Sequence, residues 1–151
     1  MNDNLNLTEY VTFTAAGQMF GLPIGRVQDV FRPATITRVP LAGPEIAGVL
    51  NLRGRIVTAI HLYARLGLET RNRGEAPMAI GIGSGSESFG LLVDSVGEVL
   101  KLADTDREPN PINLDRNLAR VSSGVFRLDG QLLVVLDVDK LLDLGGEAAA
   151  A

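Results

Sequence analysis

The chain contains very few side chains able to do chemistry. Its one histidine is His61 and it has no cysteine, which excludes disulfides, thiolate metal sites and cysteine nucleophiles together. No second histidine or carboxylate sits near His61 at ligand spacing, so a zinc site lacks its donors, and a polar residue opening a short helix is the simpler reading of that position. Gly81-Ile82-Gly83-Ser84-Gly85 has the look of a phosphate loop. It lacks the last glycine of a dinucleotide fingerprint and the Lys-Ser/Thr pair of a P-loop, and it precedes a strand instead of a helix; a hairpin turn is expected. Asp104-Thr105-Asp106-Arg107-Glu108 spaces carboxylates as calcium loops do, but an arginine stands among them and the central glycine is missing. Ser122 and Ser123 have no Gly-x-Ser-x-Gly elbow around them and His61 alone for a base. No catalytic residue, cofactor site or metal site is assigned. A binding module is favoured over the rival reading, a small ligand-binding enzyme using the Gly81–Gly85 loop and His61.

What must position any binding residues is written twice. Phe20-Gly21-Leu22 to Val30 returns 69 positions later as Phe89-Gly90-Leu91 to Val99, and Gly48-Val49-Leu50 to Ile56 returns 76 positions later as Gly124-Val125-Phe126 to Leu132. The second copy therefore carries a seven-residue insertion between its blocks. Glycines held at matched places mark a backbone need, either positive φ or close approach. Two copies suggest a pseudo-symmetric pair of small barrels or sheets. A half of about 70 residues would be marginal alone, so the halves are expected to share a core.

Strands are expected at Tyr10–Phe13, Met19–Ile24, Ile36–Pro40, Gly48–Leu50, Arg55–Ile60, Met78–Ile82, Ser88–Val93, Leu118–Val121, Gly124–Leu128 and Gln131–Leu136. Gly25–Phe31 reads as a short helix with Val27, Val30 and Phe31 inward. Further helices are expected at Leu62–Leu66 and Asp137–Leu144. Val96–Leu100 repeats the first of these as a helix or strand end, Asp104–Asn117 reads as an exposed loop, and Glu69–Pro77 as the linker between copies. Residues 1 to 8 and 145 to 151 are expected to be loose tails around one domain, residues 9 to 144.

Charge is uneven. Residues 1 to 75 hold eight Arg against six acids, and the remainder six basic against twelve acidic groups, within a net charge of −4. Two Lys, two Tyr and no Trp do not build a nucleic-acid footprint. Opposite charge at two ends suits oriented docking to proteins. The absence of a basic start followed by an apolar run, and of any stretch of about 20 apolar residues, leads to a cytoplasmic expectation without membrane insertion.

Ile36-Thr37-Arg38-Val39-Pro40, Ile46-Ala47-Gly48-Val49-Leu50-Asn51-Leu52-Arg53-Gly54-Arg55-Ile56 and Phe89 to Leu100 resemble the signatures of the CheW family of chemotaxis coupling proteins, in order and over nearly the whole chain. The resemblance implies a mainly β fold of two pseudo-symmetric five-stranded β-barrel subdomains on a shared apolar core. It also implies an adaptor without catalysis. Such an adaptor couples chemoreceptor cytoplasmic hairpin tips to the regulatory domain of a CheA-type histidine kinase, recruited to receptor arrays, in a flagellar pathway or in one with pili or another output. Carried over position by position, Val27, Asp29, Gly48 and Arg53 match partner-contact positions of the first barrel. Phe89, Leu91 and Val93 match a strand lining the groove between barrels, where a receptor hairpin is expected; by repeat symmetry Leu22 and Ile24 lie across that joint. Thr58, His61 and Tyr63 stand where many members have Pro, Asp and Arg.

Overall fold

A computed structural model describes residues 6–33, 35–67 and 78–143. The linker expected at Glu69–Pro77 and the C-terminal tail from residue 145 lie outside the described residues. Ten strands run in chain order: β1 (Leu7–Ala15), β2 (Gln18–Pro23), β3 (Val27–Phe31), β4 (Ile46–Leu52), β5 (Arg55–His61), β6 (Met78–Ser84), β7 (Glu87–Val93), β8 (Ser95–Ala103), β9 (Ser122–Leu128) and β10 (Gln131–Leu136). Among the described residues three short α-helices join them, α1 (Leu62–Leu66), α2 (Arg116–Val121) and α3 (Val138–Leu141).

The strands form two five-stranded sheets, in the orders β8-β1-β2-β10-β9 and β3-β6-β7-β5-β4. Shifting every strand by five converts one order into the other, so the sequence repeat is a structural repeat. The copies exchange strands: each sheet takes two strands from one copy and three from the other. The parallel pairs β2 with β10 and β5 with β7 join the contributions. Val27, Asp29, Gly48, Arg53, Phe89, Leu91 and Val93 therefore all belong to one sheet, not to two barrels as the repeat boundaries suggested. Among the described residues neither sheet is closed by pairing of its first and last strands, so the expected barrels are two open sheets.

Alternation along the strands sorts apolar side chains into three cores. The largest lies between the sheets and takes Phe13, Phe20 and Leu22 from one, Ile60, Ile80, Ile82, Leu91 and Val93 from the other, and Leu62, Leu66, Leu118, Val121, Val138 and Leu141 from the helices. Phe13 and Phe20 stack there at 5.4 Å. The opposite faces gather smaller cores, Tyr10, Phe126, Leu133 and Val135 on one sheet and Leu50, Val57, Ala59, Ala79 and Leu92 on the other. Side-chain bonds reinforce the joint. Arg65 of α1 donates to the carbonyls of Leu141, Lys140 and Asp143 at 2.8 to 3.0 Å, satisfying acceptors that the end of α3 leaves open. Arg26 pairs with Asp139 at 3.0 Å.

Several local expectations are corrected. Val27–Phe31 is a strand, because its backbone pairs with β6, and Val30 points outward at 39% exposure instead of into a helical stripe. Leu118–Val121 lies in α2, where the Asp115 carboxylate accepts from the Asn117 and Leu118 amides as an N-cap. Ile36–Pro40 contributes a single bridge, Thr37 to Val49, in place of a strand. Val96–Leu100 falls inside the long strand β8, and Asp104–Asn117 contains a turn of 3-10 helix and the Glu108 to Val125 bridge.

Candidate functional site

The β4–β5 hairpin turns on Arg53 and Gly54 between the paired residues Leu52 and Arg55. Both turn residues have positive φ, 53° and 82°, the conformation whose twist suits a two-residue hairpin. For arginine this conformation is unfavourable, and the Asn51 side chain supports it by accepting from the Gly54 amide at 2.9 Å. The turn holds the Arg53 guanidinium in solvent, its side chain 76% exposed, and aims it at Asp29, whose carboxylate it meets at 2.7 Å.

Asp29 reaches that position through an irregularity in β3. Val27 pairs with Ile82 and Asp29 with Gly81, two steps on β3 for one on β6, which is the signature of a β-bulge. The bulge re-aims successive side chains. Val27 packs against the core between the sheets, whereas Asp29 and Phe31 turn to the other face. There Gln28, Asp29, Phe31, Leu52, Arg53, Arg55, Val57, Gly81, Ser88 and Phe89 line a cleft of about 440 Å³, which thus holds apolar side chains and two arginines. Asp29 and Arg53 thus come together, and Phe89 lines the same cleft while its side chain packs on the core between the sheets.

The other positions separate. Gly48 is buried, with φ at +148°, and a Cβ there would collide with the Thr37 carbonyl oxygen and lie 2.8 Å from Ile36 Cγ2. It serves the backbone at the β4 edge. Leu91 and Val93 are 0% and 1% exposed inside the central core, opposite Leu22 at 0%. They face the joint as the repeat implied, but no partner can touch them, because burial between two sheets has already satisfied those apolar surfaces; the expectation that they line an accessible groove is corrected. Val27 is among the partly buried apolar groups packed on that core, and Ile24 and Val99 are apolar groups 41% and 47% exposed. Register places Val99 opposite Val11 on β1, which also pairs with Leu22 on β2, two residues before Ile24. Ile24, expected across the joint, stands in the 3-10 turn Ile24–Arg26 that follows β2, and Val99 was missed because its exposed place on β8 shows only once the sheets are assembled. Arg55, Gln28 and Ser88 were missed for a similar reason, since only strand pairing brings them to one cleft.

The remaining chemical candidates take structural positions. Gly81 to Gly85 runs through β6 into the β6–β7 hairpin. Asp104 accepts from the Thr8 hydroxyl at 2.8 Å and Glu108 pairs with Arg127 at 2.9 Å. His61 stands at the N-cap of α1 without making a side-chain capping bond, on the wall of a second depression of about 300 Å³ with Arg38 and the 42–47 loop. Tyr63, a departure noted above, crosses the joint: its hydroxyl donates to the Asp94 carboxylate and accepts from the Ala16 amide at 3.0 Å, while Asp94 accepts from the same amide at 3.1 Å.

The CheW-like domain model matches residues 9–145. The chain is 28% identical over 141 residues to the chemotaxis protein CheW of Thermotoga maritima, spanning 93% of this chain and 91% of the relative. It is 24% identical over 140 residues to that of Helicobacter pylori, spanning 93% and 84%. The crystal structure of scaffolding protein TtCheW from Thermoanaerobacter tengcongensis superposes with a TM-score of 0.82 at 27% identity, covering 93% of this chain and 96% of that one. Repeat, exchanged sheets and family match agree, and this chain belongs to the CheW-like domain family.

Proposed function

We propose that this chain is a non-catalytic chemotaxis adaptor that joins chemoreceptor tips to a CheA-type histidine kinase, using two faces of one rigid body. The observation that carries the reading is the β3 bulge, which sends Val27 and Asp29 to opposite faces of their sheet. On one face stands the cleft with Asp29, Arg53 and Phe31; on the other, the partly buried Val27, with the exposed Ile24 and Val99. A charged hairpin tip beside an apolar cleft suits the kinase regulatory domain, because oriented charge sets register and encounter rate while burial supplies affinity. Exposed apolar side chains suit one face of an amphipathic receptor helix. The adaptor works in the cytoplasm at receptor arrays, where clustering strengthens individually modest contacts through avidity.

Reconstitution tests this reading. Receptor-bearing membranes and kinase are combined with and without the chain, and kinase autophosphorylation is followed. The adaptor reading expects the chain to place the kinase under receptor control, and His61→Ala to do so equally well. Kinase activity indifferent to the chain, or loss of coupling in a folded His61→Ala protein, contradicts it.

A further inference from the structure

The cleft beside Arg53 carries one cation more than its own acids neutralise. Arg53 and Arg55 stand on either side of Gly54, and both line the cleft. Asp29 answers Arg53 at 2.7 Å. Arg55 reaches only the Ser88 hydroxyl, at 3.4 Å, and among the described residues it forms no ion pair. The same cleft is lined by the apolar Phe31, Leu52 and Val57, and its volume of about 440 Å³ can seat a large apolar side chain. A single surplus charge among apolar side chains is no track for a nucleic-acid backbone, which needs a stripe of cations. It matches one carboxylate next to one hydrophobic anchor, and a guanidinium fork binds a carboxylate through two parallel hydrogen bonds.

We propose that Arg55 is a specificity-determining residue of this face, reading an Asp or Glu that the docked kinase presents beside an exposed Leu, Ile, Phe or Tyr inserted into the cleft. The proposal rests on the reading of the cleft as the kinase face. Asp29 occupies Arg53 and so leaves Arg55 as the cation that discriminates between partners. Lysine at position 55 keeps the charge and loses the fork, glutamine loses the charge, and glutamate opposes the partner acid.

The test is a calorimetric titration of the full chain with the full-length CheA-type kinase of the same cell, for wild type, Arg55→Lys, Arg55→Gln, Arg55→Glu and Arg53→Glu. Arg55 is exposed, so melting curves of its variants should superpose on wild type. Expected affinities fall about threefold for lysine, about tenfold for glutamine and about a hundredfold for glutamate, with a shallower salt dependence for Arg55→Gln. A kinase variant with its cleft-facing acid changed to lysine should recover binding to Arg55→Glu. Wild-type affinity in Arg55→Glu, beside a weakened Arg53→Glu, overturns the proposal and leaves the adaptor reading standing. A wild-type chain that binds no kinase overturns the adaptor reading itself. Saturable binding of phenylacetate that leaves kinase affinity untouched makes the cleft a small-molecule site and also overturns the proposal.

Discussion

Gly48 and Gly124, 76 residues apart, occupy the same strained place in the two sheets, at φ +148° and +140°. Each is followed by a residue bridged to a passing segment, Val49 to Thr37 and Val125 to Glu108. A Cβ at Gly48 would strike the Thr37 carbonyl, and one at Gly124 would lie 2.8 Å from the Glu108 carbonyl oxygen. Both lie against backbone, which has no rotamer to yield. Gly48→Ala and Gly124→Ala should therefore each destabilise by about 3 kcal/mol, combining an unfavourable φ with steric overlap. Denaturant titration checks this. Equal losses at the two sites identify Gly48 as a backbone requirement, while a Gly48→Ala protein as stable as wild type returns it to the partner surface.

Arg53 carries backbone strain that glycine or asparagine would not. Arg53→Gly and Arg53→Asn remove an exposed ion pair worth about 0 to 1 kcal/mol and relieve an αL cost of similar size. Thermal midpoints should stay close to wild type while kinase binding weakens. A substantial drop in midpoint would make the Asp29 pair a structural element of the hairpin.

Tyr63→Phe should cost about 1 kcal/mol, because the Asp94 carboxylate loses a donor while the Ala16 amide keeps its bond to Asp94. The loss should be local. Hydrogen exchange is expected to quicken at Ala16 and the β1–β2 turn with little change in the central core; uniform acceleration would mean that the tyrosine holds the sheets together globally.

Stability should depend on pH at both ends of the scale. Burial pushes the Tyr10 phenol above its ordinary value, outweighing the opposing charge of Arg107. Above pH about 10 the unfolded chain loses that proton first, so the native state binds more protons and stability falls as pH rises. Asp139 is shifted the other way, by the Arg26 hydrogen bond first and its charge second. Its contribution is present above the ordinary Asp value and fades as pH falls through the lowered folded value, and it is small because the group lies in solvent. Tm measured against pH should lose part of its alkaline decline in Tyr10→Phe; an unchanged decline would show that other groups dominate.

The hairpins and α1 were legible because their signals are local. Ala16-Gly17, Arg53-Gly54 and Asp129-Gly130 sit between apolar arms, and each arm pair closes in the structure. Val27 to Phe31 was not legible, because that segment fits a helical stripe and a strand about equally and only pairing with β6 decides. Leu118–Val121 is a four-residue apolar run of the same ambiguity, resolved by the Asp115 cap. Strand exchange between the copies leaves no trace in either copy alone. It is why Leu91 and Val93, read as groove, lie in the core, and why Asp29, Arg53 and Phe89, far apart in sequence, share a cleft.

The central claim is that two faces of one body hold two partners, and separate binding measurements on Arg53→Glu and Val99→Asp test it most directly. Each variant is titrated against the kinase and sedimented with receptor-bearing membranes. Arg53→Glu should lose the kinase and keep the receptor, and Val99→Asp should do the reverse, since an unpaired carboxylate buried under a receptor helix costs several kcal/mol there and nothing at the cleft. Folded variants that lose both partners together, or neither, contradict the account.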